Sequence, residues 1–274
     1  MPGQDENFEK RREIVRHMNV MDDDFFAKVA EDAPAMEELL SVLLQDKELR
    51  LLWSRSQVHL RNSGTRSVTL DAMCESVDGR LYSVEMEKSN RDDHQRRVRY
   101  NRSNIDTMYT EKGTNFKDIP QVCMIFLSKT DFLQGEKCLY HIDRTIRENG
   151  RVVNNGVQEI YANARVNDNS EVAQLMQYLK KTKGEHPLFP KLSARVKYLK
   201  EEQRGVEEMC EAVEKYARER AKEAAKKAAR KAAKEAARNS ALLLFQNGVS
   251  FEIVVKSIKQ LTRRELERIY QSVQ

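Results

Sequence analysis

Six consecutive apolar residues, Val122-Cys123-Met124-Ile125-Phe126-Leu127, constrain this chain more than any other stretch. No polar residue interrupts them, and the run has the length of a strand rather than a helix. A strand that is apolar on both faces has to be covered on both faces, which is the situation of a central strand in a layered α/β domain. The flanking patterns agree. Asp22-Asp23-Asp24 precede Phe25, Phe26, Val29 and Ala30, and acids in a first turn suit the positive end of a helix dipole. Met36, Leu39, Leu40, Leu43 and Leu44 repeat at helical spacing and predict a second helix over about residues 34–46. Val68, Leu70 and Ala72, and then Tyr82, Val84 and Met86, alternate with mostly polar neighbours. Asp78-Gly79 between the two runs is a hairpin signal.

A polar, Arg-rich helix with Val98, Ile105 and Met108 is expected over about 90–110. After the central strand, Tyr140, Ile142, Ile160 and Tyr161 fit a hairpin over 137–163, with Asn154-Asn155-Gly156 among its turn residues. Residues 170–200 read as helix interrupted by Gly184, Pro187 and Pro190. The order predicts an α/β domain over residues 21–200, behind an N-terminal segment, 1–20.

Residues 201–240 are a different object. YARERAKEAAKKAARKAAKEAARN joins the best helix former to charged residues and has no Leu, Ile or Val seam, so it predicts one long, exposed helix. A solvated linker is the simplest account of a helix polar all round; a phosphate-contacting rod or an Ala-packed dimer helix are the sharper ones. Residues 241–274 regain apolar residues, with Gly248 at a helix C-cap position and a Thr262-x-x-Glu265 capping box, and predict a small helical module, either helix-turn-helix-like or a packing or oligomerisation appendage. That module leaves room for a homo-oligomer built through the C-terminal helices.

The net charge is +5, and residues 211–238 alone hold ten Lys or Arg against five Glu, so the rest of the chain is near neutral. That permits nucleic-acid binding through one region and argues against a uniformly basic coating protein. No apolar run approaches the roughly 18 to 20 residues of a membrane span, and the charged N-terminus has no signal-peptide core. Cys74, Cys123, Cys138 and Cys210 form no paired motif, so a zinc site or disulfide framework is not expected and a reducing cytoplasm is.

The chemistry is concentrated in residues 66–104. Asp71 lies on the first hairpin strand, and Glu85 and Glu87 on the second. Acids are depleted in strand interiors, and carboxylates on adjacent strands are hard oxygen ligands that suit Mg²⁺ or Mn²⁺. The bland account is a wet sheet face carrying solvated acids. A strict two-residue turn at Asp78-Gly79 would set Asp71 across from Met86 and put Asp71 and Glu85 on opposite faces; a shared ion needs a three-residue loop or a bulge. Arg96, Arg97, Arg99, Tyr100 and Arg102 follow on the next helix, where guanidinium forks suit phosphate oxygens, or simply pair with Asp92 and Asp93. His94 is within reach of the metal edge but reads more simply as a lone surface residue, and His141 as an ordinary strand residue.

Several of these elements together, Leu70-Asp71-Ala72, Asp78-Gly79, Tyr82 to Glu87, Arg97 to Tyr100, Gly113 to Phe116 and the apolar strand, resemble in order and spacing the Rpn family of recombination-promoting, transposase-like nucleases in the PD-(D/E)XK superfamily. MDDDFFAKV resembles that family's opening helix, and the resemblance covers about residues 20–165. It implies a restriction-endonuclease-like core, a mixed sheet flanked by helices, with the long helix and the small module appended. It further implies metal-dependent hydrolysis of DNA phosphodiesters with Mg²⁺, or Mn²⁺, as cofactor. Asp71 and Glu85 match the metal-binding acids, Glu87 the third catalytic position, and Arg97, Arg99 and Tyr100 the stretch expected to meet DNA phosphates. Glu87 departs from the usual Lys or Gln, and Lys88 is one residue late. The alternative function is a DNA-binding protein that keeps the fold with little or no catalysis.

Overall fold

The apolar run becomes β4 (Val122–Ser128), buried at every position in the middle of a six-stranded mixed sheet. The computed structural model describes residues 2–61, 66–87 and 94–273. The other strands are β1 (Leu51–Leu60), β2 (Val68–Ser76), β3 (Leu81–Glu87), β5 (Leu139–Ile142) and β6 (Val157–Asn163), in the order β1-β2-β3-β4-β6-β5. β3, β4 and β6 run parallel, and antiparallel partners flank them on both sides.

β4 divides its side chains between two cores. Cys123, Ile125 and Leu127 face a large cluster built on α1 (Pro2–His17), α2 (Asp23–Val29), α3 (Ala33–Leu43), α5 (Glu171–Leu179) and α6 (Pro190–Glu201). Val122, Met124 and Phe126 face a smaller cluster with Val98 and Ile105 of α4 (His94–Tyr109). The protein is therefore α/β, with helices on both faces of the sheet. Asp32 caps α3 by accepting from the Ala35 amide, and Ser170 does the same for α5 through Ala173.

The long charged helix is α7 (Gln203–Gln246). Its first turns are not a linker: Val206, Met209 and Cys210 are buried in the large cluster. The chain packs as two units, residues 1–213 and 214–274. In the second, Ala237, Ala241 and Phe245 of α7 pack with Val254, Ile258, Leu261 and Leu266 from α8 (Phe251–Ser257), α9 (Arg263–Gln271) and the turn between them. Gly248 ends α7 at φ 75°, and the Thr262–Glu265 capping box starts α9. Among the described residues, no helix is long and apolar enough to cross a membrane.

Candidate functional site

The β2–β3 hairpin decides which side chains can meet. The Ser76 amide donates to the Arg80 carbonyl at 3.0 Å, and the Gly79 amide to the Ser76 carbonyl at 2.9 Å. Val77, Asp78 and Gly79 are thus a three-residue loop, with Gly79 in the left-handed region at φ 81°. The ladder pairs Met73 with Ser83 and Ala72 with Val84, and one further step sets Asp71 across from Glu85. Asp71 Oδ2 accepts the amide of Met86 at 2.9 Å, which fixes the carboxylate at the end of that ladder.

The alternation along β2 is irregular at this point. Ala72 and Cys74 face the large cluster and Met73 the α4 side, as a regular strand requires, yet Val68 and Leu70 also lie on the α4 side. The phase slips by one at Asp71. Gln57 on β1, between Ser56 and Val58, which pair with Ala72 and Leu70, has φ 48°. A left-handed glutamine inside a strand is strained, and such strain collects at functional positions. The slip lets apolar side chains and an acid share the face that α4 covers.

Asp71 and Glu85 both line a groove of about 590 Å³ together with Asp23, Arg96, Arg97 and Tyr100. Ser83 Oγ donates to Glu85 Oε1 at 3.0 Å. Burial first, and the neighbouring Asp71 charge second, push the Glu85 carboxyl well above the usual carboxylate range, against the pull of the Ser83 hydrogen bond and the Arg97 guanidinium. A positive ion between the two acids would offset both effects. Among the described residues, no group of three or more His, Cys, Asp or Glu is placed to hold a metal. Two carboxylates are nevertheless a sufficient protein contribution for Mg²⁺, which keeps waters and takes substrate phosphate oxygens for its remaining positions.

Glu87 lines the same groove but is engaged by α4. Its side chain is 4% exposed, ion-paired with Arg97 Nη2, and its Oε2 lies 2.9 Å from His94 Nδ1. His94 is buried, which corrects its reading as a surface residue: its ring meets the edges of Phe126 and Phe132 at 4.9 and 5.1 Å. His94 Nε2 lies 3.3 Å from the Tyr161 hydroxyl, to which Gln95 Nε2 donates at 2.9 Å. Tyr161 is pushed above the usual phenol range by burial and then by Glu159. Glu87 therefore anchors the first turns of α4 to the sheet.

Arg97 and Tyr100 line the groove, as does Arg96, whereas Arg99 is exposed on α4 and is not a lining residue. The Tyr100 hydroxyl donates to the Arg66 carbonyl at 2.6 Å, tying α4 to the start of β2. Arg102 lies 3.8 Å from Asp106. Lys88, Asp92 and Asp93 fall outside the described residues. Sequence reasoning missed Asp23, Arg66 and Tyr161 as neighbours of this site. The run of three acids before α2 was a signal for Asp23: Asp22 accepts the Asn19 amide at 2.8 Å, while Asp23 lines the groove.

No family model, curated protein or solved structure matches this chain.

Proposed function

We propose that residues 1–213 form a metal-dependent DNA endonuclease domain of the PD-(D/E)XK type, with the restriction-endonuclease-like core that its Rpn-like motifs imply. One observation carries the reading: Asp71 and Glu85 share one face of a hairpin and line a groove that also holds Arg66, Arg96 and Arg97. In this reading the two carboxylates hold Mg²⁺ or Mn²⁺. Such an ion, when bound, supplies an activated water and neutralises charge on the scissile phosphate. The Met86 amide keeps Asp71 oriented, and Ser83 does the same for Glu85. Arg96, Arg97 and Tyr100 position the phosphate backbone without reading sequence.

The test is nicking or cleavage of plasmid DNA with Mg²⁺, with Mn²⁺ and with EDTA. Cleavage is expected with metal only, and Asp71→Ala and Glu85→Ala each abolish it while the fold persists. Metal-dependent cleavage surviving both substitutions would refute the site. A second reading, a DNA-binding domain with weak or no catalysis, is favoured by Glu87. A carboxylate at that position cannot supply the positive charge of the superfamily's lysine, and here it is engaged by Arg97 and His94. Duplex binding without cleavage under any metal selects this second reading.

A further inference from the structure

The positive charge of this protein lies outside the unit that holds the groove. Residues 214–274 contain fifteen Lys or Arg against seven Glu, so with +5 overall the remaining 213 residues are slightly acidic. Within α7, Arg218, Lys222, Lys226, Arg230, Lys234 and Arg238 recur at every fourth position. Each step rises about 6 Å and turns about 40° around the axis, so the six cations trace one oblique ridge about 30 Å long. Beside it runs a second fourth-position row of alanines, of which Ala217, Ala221, Ala225, Ala229 and Ala233 are exposed.

A solvated linker helix supports itself with Glu–Lys pairs four apart. Glu223 and Lys227, and Lys231 and Glu235, have that spacing beside the ridge, but no acid interrupts the ridge itself from Arg218 to Arg238. From Ala224 through Lys234 there are five cations and no acid. Neighbours in the ridge are like charges at i,i+4, which destabilise an isolated helix. The ends of the ridge are partly neutralised: Arg218 pairs with Glu214, and Lys234 with Glu265 at 2.6 Å. Lys222, Lys226 and Arg230 are exposed and make no ion pair among the described residues. The helix thus retains a repulsive row that a polyanion would relieve. A second copy of this helix would bring the same cations, and residues 218–238 carry no large apolar side chain to insert into a membrane surface.

We infer that the α7 ridge over residues 218–238 is a sequence-independent binding surface for the phosphate backbone of duplex DNA, separate from the groove. About 30 Å spans roughly nine base steps of duplex, and the small alanine row lets the backbone approach closely. Duplex DNA as the polyanion rests on the proposed function; the ridge itself does not.

The experiment uses the full chain in EDTA with a duplex of about 30 base pairs, titrated from about 50 to 200 mM salt. Replacing Lys222, Lys226 and Arg230 together by Gln keeps helix propensity. It should weaken binding about 10- to 100-fold at the low-salt end and reduce the salt slope by about 2 to 3. A charge-matched variant, Ala225→Lys with Lys226→Ala and Ala229→Lys with Arg230→Ala, should also lose affinity, because it breaks the ridge at constant net charge. Circular dichroism checks that both variants stay helical. Unchanged affinity and slope in the triple variant would overturn the inference, and so would full affinity in the charge-matched one. Binding to phosphatidylserine vesicles as tight as to duplex would overturn the choice of DNA, and self-association without DNA binding would do the same. Cleavage is scored separately with Mg²⁺, so a protein that binds through α7 but never cuts fails the nuclease reading and leaves this one standing.

Discussion

Gln57, with φ 48°, lies on β1 between Ser56 and Val58, the partners of Ala72 and Leu70, where β2 slips phase at Asp71. The left-handed conformation at Gln57 costs on the order of 1 kcal/mol or more for a side chain with a Cβ. Gln57→Gly should leave stability unchanged or raise it. Gln57→Val, β-branched where φ is positive, should lower it by about 1–2 kcal/mol, read from urea midpoints at constant slope. Equal effects of the two substitutions would mean that the backbone there is not strained.

Glu85 and Glu87 should respond with opposite signs although they lie on one face of one strand. In metal-free buffer, Glu85→Gln relieves a desolvated carboxyl beside Asp71 and should raise the melting temperature by a few degrees. Mg²⁺ should raise the melting temperature of the wild type and not of this variant. Glu87→Ala strips a buried partner from Arg97 and His94 and should cost about 2 kcal/mol, less than a fully buried pair because Arg97 is 38% exposed. Stabilisation by Glu87→Ala would place that carboxylate in the metal site instead.

Ending the chain at Val213 should leave a cooperatively unfolding protein. Ending it at Arg204 removes Val206, Met209 and Cys210 from the large cluster and should cost on the order of 5 kcal/mol. Urea denaturation of the two truncations compares them directly, and equal midpoints would mean that the first turns of α7 add nothing to that core.

Burial pushes the thiols of Cys74 and Cys123 up from 9.0 to about 12. Unfolded thiols ionise near 9 while the folded ones stay protonated, so the unfolded chain binds fewer protons as pH rises. Stability is unaffected below pH 9 and falls between pH 9 and 12, by on the order of 4 kcal/mol per thiol at the upper end. Cys74→Ala should shallow that fall in a pH series of urea midpoints. Folded protein at pH 8 should also resist thiol reagents, and rapid modification of all four cysteines would contradict their burial.

The central strand was legible because six apolar residues in a row have only one comfortable place in a layered domain. β1 was not, because an edge strand reading Ser-Arg-Ser-Gln carries little apolar signal and its alternation breaks at Gln57. The meeting of Asp71 with Glu85 was legible only as a condition on loop length, which Gly79 fulfils through its left-handed conformation. The Glu87–His94 contact was hidden, because it joins a strand end to a helix start and no periodicity links positions seven apart across that break.

The hairpin also sets an order of events during folding. β2 and β3 meet through a loop of three residues, whereas β3 reaches β4 only after the chain from 88 to 121 has closed around α4. Short loops close first and with the least entropy. The two acids are brought together by the most local pairing in the sheet, and their repulsion must be borne before the arginines of α4 arrive to temper it.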